Sequence, residues 1–413
     1  MTSNNPIAHL PLAGVRVLEL SQIMAGPTCG LMLADLGAEV IKVEKYPGGD
    51  DARNYRQNGD SGLPPSFMML NRGKKSVCID LRSEQGRATL KRLVASADIL
   101  TENFRLGVME KLGLGYEELR AHNPGLIYCS ITGYGRTGPL AAKGGFDLIL
   151  QAFAGILSVT GEAGGGPVKP GVSIADINAG ILAAFGVLGA YIHKLKTGAG
   201  QRVDTSLLQA SIQQTYWFAA GYFATGQIGK PSGTAHPLIA PYQVFQCADG
   251  QLALGGANHA NWVRITEVLG HPEWQQDSRF ELPAQRLACR AELERLINAV
   301  MCERTVDDWL ARFDAAGVPA GPVQDIAQAL EHEQTRSVGM VIDAQGPLGE
   351  SVRALGLPVI LDGEATPATG VPPRVGQHTV EVLRGAGFGE EEVRSLLDAG
   401  VAYEAARNSQ PGM

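Results

Sequence analysis

The stretch "VRVLELSQIMAGPTCGLMLADLGAEVIKVEK", residues 15–45, reads as strand, turn, helix and strand. "VRVLEL" (15–20) is an apolar run rich in β-branched residues. The turn "SQIM" leads into "AGPTCGLMLADLG" (25–37), where Pro27 suits a helix start and Gly37 a helix stop. "VIKVEK" (40–45) is the next strand. Two strands joined through a helix run parallel. The pattern continues with "SVCIDL" (76–81) and a helix at 83–97 that opens on Ser83 with acids in its first turn. "DILTENF" (98–104) and "GLIYCSITGY" (125–134) supply two more strands. The expected class is α/β, built on a parallel sheet.

Further along the pattern changes. Residues 177–192, "INAGILAAFGVLGAYI", are nearly uncharged. The run is short of the roughly 20 residues a bilayer requires, so it reads as a core helix. Residues 196–226 carry turn glycines and then a long helical pattern. "YQVFQCADGQLALGG" (242–256) reads as a hairpin turning at "ADG", followed by helical patterns at 261–270, 286–302 and 305–316. The remainder is strand-rich, then proline-rich at 372–374, and closes on a helical "GEEEVRSLLDAG" (389–400).

The chain has 413 residues, which predicts about two domains. A net charge of −7 gives no basic surface for nucleic acid or anionic membrane, so neither partner is expected. The six cysteines form no C-x-x-C pair and suit no zinc site; no metal is expected, and a reducing, cytoplasmic setting is. The opening "MTSNNPIAHLPLAG" lacks the cationic and apolar regions of a signal peptide.

For chemistry, the first strand–turn–helix invites a dinucleotide reading, with Glu44 placed about where a ribose-binding acid falls. The turn lacks G-x-G-x-x-G, which argues against that reading; its backbone N–H groups at Met24 and Ala25 can still face an anion. Lys45, Arg72, Lys74, Lys75, Arg105 and Lys111 lie near strand ends or loops, with "NRGKK" (71–75) the densest cluster for phosphate. Asp176 carries the most tension. It sits at the front of the apolar helix behind "TGEAGGGPVKPGVS" (160–173), whose glycines admit close approach. By itself it reads as a helix N-cap. It also reads as an ionised, half-dry carboxylate beside free N–H groups, the setting of a covalent nucleophile.

These residues resemble the class III CoA-transferases, the formyl-CoA transferase and carnitine CoA-transferase family. The resemblance runs in order through residues 11–45, "GDDAR", "LNRGKKSVCIDLRSEQG", "ADILTENFRLGVMEKLGLGYEEL", "GFDLILQA", "GVSIADINAGILAAFGVLGA", "KTGAGQRVDTSLL", "HPLIAPYQVF", "GVPAGPV" and "VGQHTVEVL". It implies that Asp176 attacks an acyl-CoA thioester and passes CoA to an acceptor acid through an aspartyl anhydride and an aspartyl-CoA thioester. CoA thioester is then substrate, with no tightly bound cofactor. The resemblance places Asn103, Phe104, Lys74, Lys45 and Lys111 at CoA, Met24 and Tyr55 at the acyl pocket, and "GTAHP" (233–237), with Gly233 and His236, at a lid. The lid sequence resembles the branch handling succinyl-CoA and larger dicarboxylates. The related α-methylacyl-CoA racemases carry a histidine where Phe146 stands in "GGFDL", and phenylalanine cannot act as a base. A racemase-like isomerase and a non-catalytic acyl-CoA binder are the alternative readings.

The implied architecture is an interlocked, ring-like homodimer. Each chain would have a Rossmann-like large domain from residues 10–200 and 326–405, a linker helix at 201–225 and a small α+β domain at 226–325.

Overall fold

The computed structural model describes residues 9–55, 63–346, 351–367 and 370–405. Its largest sheet takes strands β1 (Arg16–Leu20), β2 (Glu39–Glu44), β3 (Lys75–Ile79), β4 (Ile99–Glu102), β5 (Ile127–Thr132) and β6 (Arg202–Ser206). All six run parallel, in the order 3-2-1-4-5-6. The order reverses between β1 and β4, so the loops leaving those two strands diverge and leave a crevice at their carboxyl ends.

Alternation along the strands explains the two-sided core. Val15 and Val17 enter one apolar cluster, while Leu18 and Leu20 enter another on the opposite face. The first face is covered by helices Ala25–Asp35 and Ile174–Thr197, the second by Glu84–Ala95, Tyr116–His122 and the C-terminal helices Thr379–Gly385 and Glu390–Asp398. Ser83 caps its helix as expected, accepting from the N–H of Gly86 at 2.9 Å.

β6 departs from the sequence expectation. Residues 202–206 lie inside a stretch read as turn followed by helix, yet they form the edge strand beside β5. Arg202 and Asp204 pair with each other at 2.7 Å on the exposed face, and such charges mask the strand pattern while protecting an edge. The helix expected beyond it breaks into Leu207–Gln213 and Tyr216–Thr225.

A second compact unit comprises residues 157–169 and 220–332, the first comprising 1–156, 170–219 and 333–413. The second is built on the antiparallel sheet β7 (Tyr242–Gln246), β8 (Gln251–Gly255) and β9 (Ala320–Pro322). Trp262, Phe280, Trp309 and Phe313 fill its core. In the first unit, β10 (Val341–Gln345) pairs with β11 (Ser351–Leu355), and β12 (Ile360–Leu361) with β13 (Glu364–Ala365). β14 (Ala402–Tyr403) adds antiparallel to β3, so the C-terminal residues complete the large sheet.

The apolar helix is longer than the sequence pattern indicates. It spans 24 residues, Ile174–Thr197, enough by length and composition to cross a membrane. Its inward face is made of small residues, Ala175, Ala179, Gly180, Ala183, Ala184, Val187 and Ala190. Its large side chains point outward: Phe185 is 75% exposed and Leu195 70%. It is therefore half buried, with an apolar outer face, rather than enclosed.

Candidate active site

Asp176 is the third residue of helix Ile174–Thr197, and the N-cap position belongs to Ser173, whose side chain makes no capping bond. The expectation that Asp176 caps this helix is thereby corrected. The cap comes instead from Asp147, at the start of helix Asp147–Phe153. Its Oδ1 accepts from the N–H of Ala175 at 3.0 Å and of Asp176 at 3.4 Å. Its Oδ2 accepts from Nε2 of Gln151 at 2.6 Å. Those two helix N–H groups are occupied, so they are not the oxyanion donors that the sequence reading allowed.

The Asp176 carboxylate itself has no hydrogen-bond partner among the described residues. Burial, and next the charge of Asp147, push its pKa up to about 7. The expectation of full ionisation at pH 7 changes accordingly: near neutrality the group is about half protonated. Its position in the first turn favours the anion, but desolvation and a like charge outweigh that. A carboxylate that is poorly hydrated, unbonded and basic is suited to attack a carbonyl carbon.

Close packing holds it in place. At Gly180, one turn further on the same helix face, an added Cβ would lie 2.5 Å from the carbonyl oxygen of Ala25 and 2.6 Å from Cβ of Thr28. Helices Ile174–Thr197 and Ala25–Asp35 therefore meet at backbone distance, and the nucleophile candidate adjoins that contact.

The turn from β1 into helix Ala25–Asp35 occupies the crevice at the sheet's reversal point. Asn103, just past β4, donates to the carbonyl of Gln22 and accepts from its N–H, both at 2.9 Å. Beside it lies a cavity of about 340 Å³, lined by the ends of β1, β2 and β3 and by Lys45, Tyr46, Asp80, Arg82, Phe104 and Leu112, among others. A cavity at the carboxyl edge of a parallel sheet is where this architecture takes nucleotides.

The residues expected at CoA are distributed unevenly. Lys45 and Phe104 line the cavity; Lys45 is exposed and pairs with Asp51 at 2.6 Å. Met24, the half-buried helix N-cap, and Ala25 sit in the turn with Asn103 alongside. Lys111 ends the short helix Val108–Lys111 and is exposed. The "NRGKK" cations are not presented as a cluster. Arg72 is buried against Asp35 and donates to the carbonyl of Leu355 at 2.8 Å. Lys74 is fully buried against Glu19 at 2.8 Å. Lys75 bridges Glu39 and Glu381 at 2.7 Å each. Glu44, weighed as a ribose acid, is engaged by Arg53 at 2.7 Å and by Ser76 at 2.5 Å. Arg72, Lys74 and Glu44 each answer an interior charge that no local pattern reveals, whereas Lys75 sits between two partly exposed carboxylates.

Phe146 caps the Asp147 helix and is 68% exposed, and Tyr55 is exposed at the end of a short 3-10 helix. Gly233 and His236 lie in the second unit. Gly233 has φ +62° and bonds through its N–H to the carbonyl of Gly161 at 2.9 Å. His236 stacks on Tyr242 with ring centres 5.2 Å apart, and its Nδ1 accepts from the N–H of Leu238 at 3.2 Å. Burial, then the Arg290 charge, lowers its pKa, which favours the neutral ring.

Sequence reading missed Asp147, Arg82, and the buried Glu19, Lys42 and Asp50. One available signal was a Glu and a Lys inside two otherwise apolar strands. Glu19 and Lys42 turn out to be register partners across β1 and β2.

The family model for CoA-transferase family III matches residues 12–379, and the chain belongs to that family. A "succinate–glutarate CoA-transferase" of Agrobacterium fabrum is 37% identical over 379 residues, covering 90% of this chain and 95% of the relative. An "acyl-CoA transferase" of Fusarium pseudograminearum is 36% identical over 400 residues, covering 94% and 88%. Among solved structures, a CaiB/BaiF family protein from Brucella suis superposes with a TM-score of 0.81 at 38% identity, covering 91% of this chain and 99% of that one.

Proposed function

We propose that this chain transfers CoA from an acyl-CoA donor, succinyl-CoA or one similar, to a small carboxylic acid, with Asp176 as covalent nucleophile. The observation that carries the reading is the Asp176 carboxylate: unbonded, raised to about 7, and rigidly placed on a helix end capped by another residue. The carboxylate adds to the thioester carbonyl, the C–S bond breaks, and CoA thiolate leaves an aspartyl mixed anhydride. The thiolate then attacks the Asp176 carbonyl and expels the donor acid as carboxylate. The acceptor carboxylate attacks this aspartyl-CoA thioester, thiolate leaves again, and its attack on the acceptor's acyl carbon restores Asp176. Each step exchanges activated carbonyls, so no nucleotide hydrolysis is needed.

In this reading the nucleotide end of CoA takes the cavity lined by Lys45, Phe104 and Arg82. Met24 and Ala25, in the turn that Asn103 braces at Gln22, lie between that cavity and the reacting group in this reading. Tyr55, Gly233 and His236 remain assigned to acid selection and the lid, and Lys111 to the CoA phosphates. Arg72 and Lys74 support the fold around the site rather than grip phosphate, because each is held by a buried carboxylate, and Lys75 is taken up by Glu39 and Glu381. Phe146 offers no base opposite Asp176, so α-proton exchange in deuterated water without acceptor acid is expected to be absent. The name of the Agrobacterium relative supports succinyl donors. We further infer that the chain functions as an interlocked homodimer. Phe146, Phe153, Phe185, Leu195 and Trp217 expose more than half of their surface, and apolar area of this kind marks association faces.

The direct test incubates the protein with succinyl-CoA and a panel of acids and reads new acyl-CoA by mass spectrometry. Asp176→Ala is expected to abolish transfer, and borohydride is expected to trap the wild-type adduct at Asp176. Full transfer by Asp176→Ala overturns the mechanism.

A further inference from the structure

Beneath the turn lie four charged side chains. Lys42, Glu19, Asp50 and Lys74 are fully shielded from solvent. Glu19 accepts from Lys42 and Lys74, both at 2.8 Å, and Lys42 also pairs with Asp50 at 2.8 Å. Two positive and two negative groups balance. Burying them carries a large desolvation penalty, and such pairs seldom add net stability over apolar packing. None reaches the cavity surface with a free cation. A phosphate contact therefore does not explain them.

What they do bond is backbone. Lys42 donates to the carbonyl of Ser21 at 2.8 Å. Asp50 accepts from the N–H of Ile23 at 3.0 Å. Lys74 donates to the carbonyl of Pro27 at 2.9 Å. With Asn103 on both polar groups of Gln22, the turn is pinned at Ser21, Gln22, Ile23 and Pro27. The helix rests directly on the cluster: at Gly30 an added Cβ would lie 1.8 Å from a Glu19 carboxylate oxygen. Ile23 is held at φ +68°, a left-handed conformation that a β-branched residue rarely adopts. Among the described residues, nothing accepts from the N–H groups of Met24, Ala25 and Gly26, so the pinned turn leaves three donors together at the helix start.

We propose that Glu19, Lys42, Asp50 and Lys74 are positioning residues for the transfer reaction, holding the 21–26 turn so that its free N–H donors are fixed beside Asp176. The inference rests on the CoA-transfer reading of Asp176 and assigns Lys74 a role inside the protein instead of at the ligand. Burial, opposed by Glu19 and aided by the charge of Lys42, brings Lys74 down to about 8, and its ammonium is spent on Glu19, the Pro27 carbonyl and Asn71 Oδ1 at 3.1 Å.

The test compares wild type with Lys74→Met and with the charge-balanced Glu19→Gln/Lys74→Met pair, which keeps the Lys42–Asp50 bridge if the single variant fails to fold. Three quantities are read well below the melting temperature: kcat at saturating donor, the Kd of free CoA by calorimetry, and amide exchange of a peptide spanning residues 21–31. A loosened turn is expected to lower kcat by roughly 30–100-fold, leave the CoA Kd within about threefold, and speed exchange at the bonded amides of Gln22 and Ile23 at least about tenfold. A loss confined to the CoA Kd shows a ligand contact and overturns the proposal, as does kcat within about threefold of wild type. If wild type transfers no CoA to any acid, the functional reading fails by itself; the exchange measurement then decides the pin, and unchanged exchange sinks it.

Discussion

Asp147 and Asp176 are two carboxylates at one helix end with different tasks, and pH separates them. Asp176 must be ionised to attack, so kcat/KM is expected to rise with pH through an apparent pKa of about 7. Asp147→Asn keeps an oxygen to accept from Ala175 but removes the like charge. The rising limb should then move toward acid, and an unmoved limb would assign the shift to burial alone. The same raised pKa acts on stability. Asp176 binds its proton more tightly folded than unfolded, so its contribution is greatest below the unfolded value of 3.8 and is lost as pH rises to about 7. Asp176→Asn should therefore be more stable than wild type at pH 8, by about 2 kcal/mol, with the gain disappearing near pH 4 in denaturant titrations. At this scale Asp176 was marked as a candidate by its place at the front of an apolar run together with the family resemblance. Asp147 was not, because its partner N–H groups lie 28 and 29 residues away.

Elements are set against each other by close approaches that a pattern of apolar residues does not specify. Gly180→Ala places a methyl group 2.5 Å from the Ala25 carbonyl, so the two helices must part. Destabilisation of about 1–3 kcal/mol is expected, with kcat reduced because the turn and the nucleophile separate. Equal kcat with lowered stability would show that the contact is structural only. In the second unit, Arg286 is 2% exposed and donates to the carbonyls of Ala240 at 3.0 Å, Phe280 at 2.8 Å and Glu281 at 3.1 Å. Its guanidinium also faces the Trp262 ring at 5.1 Å. Arg286→Met strands those carbonyls and should lower stability by about 3 kcal/mol in thermal unfolding. The strands from 15 to 134 and most helices follow from local periodicity. β6 does not, because an edge strand carrying Arg202 and Asp204 lacks the apolar run of its buried neighbours.

For the whole molecule, the outward apolar residues of helix Ile174–Thr197 make association the expected state. Phe185→Asp should shift sedimentation toward a smaller species and lower activity with it; an unchanged species removes this face from the interface. The sequence alone determined the α/β class, the parallel strands, the family resemblance and the choice of Asp176, because these depend on periodicity and residue order. Tertiary structure alone decided which charges line the cavity. Lys45 was left at the cavity, while Arg72 and Lys74 were drawn into buried pairs and Lys75 into a partly exposed bridge between Glu39 and Glu381. It also decided what holds the turn, by setting Glu19 opposite Lys42 and bringing Asp50, Lys74 and Asn103 to its backbone. The reason is physical: the worth of a charge depends on its partners and its burial, and both are assembled from segments far apart in the chain.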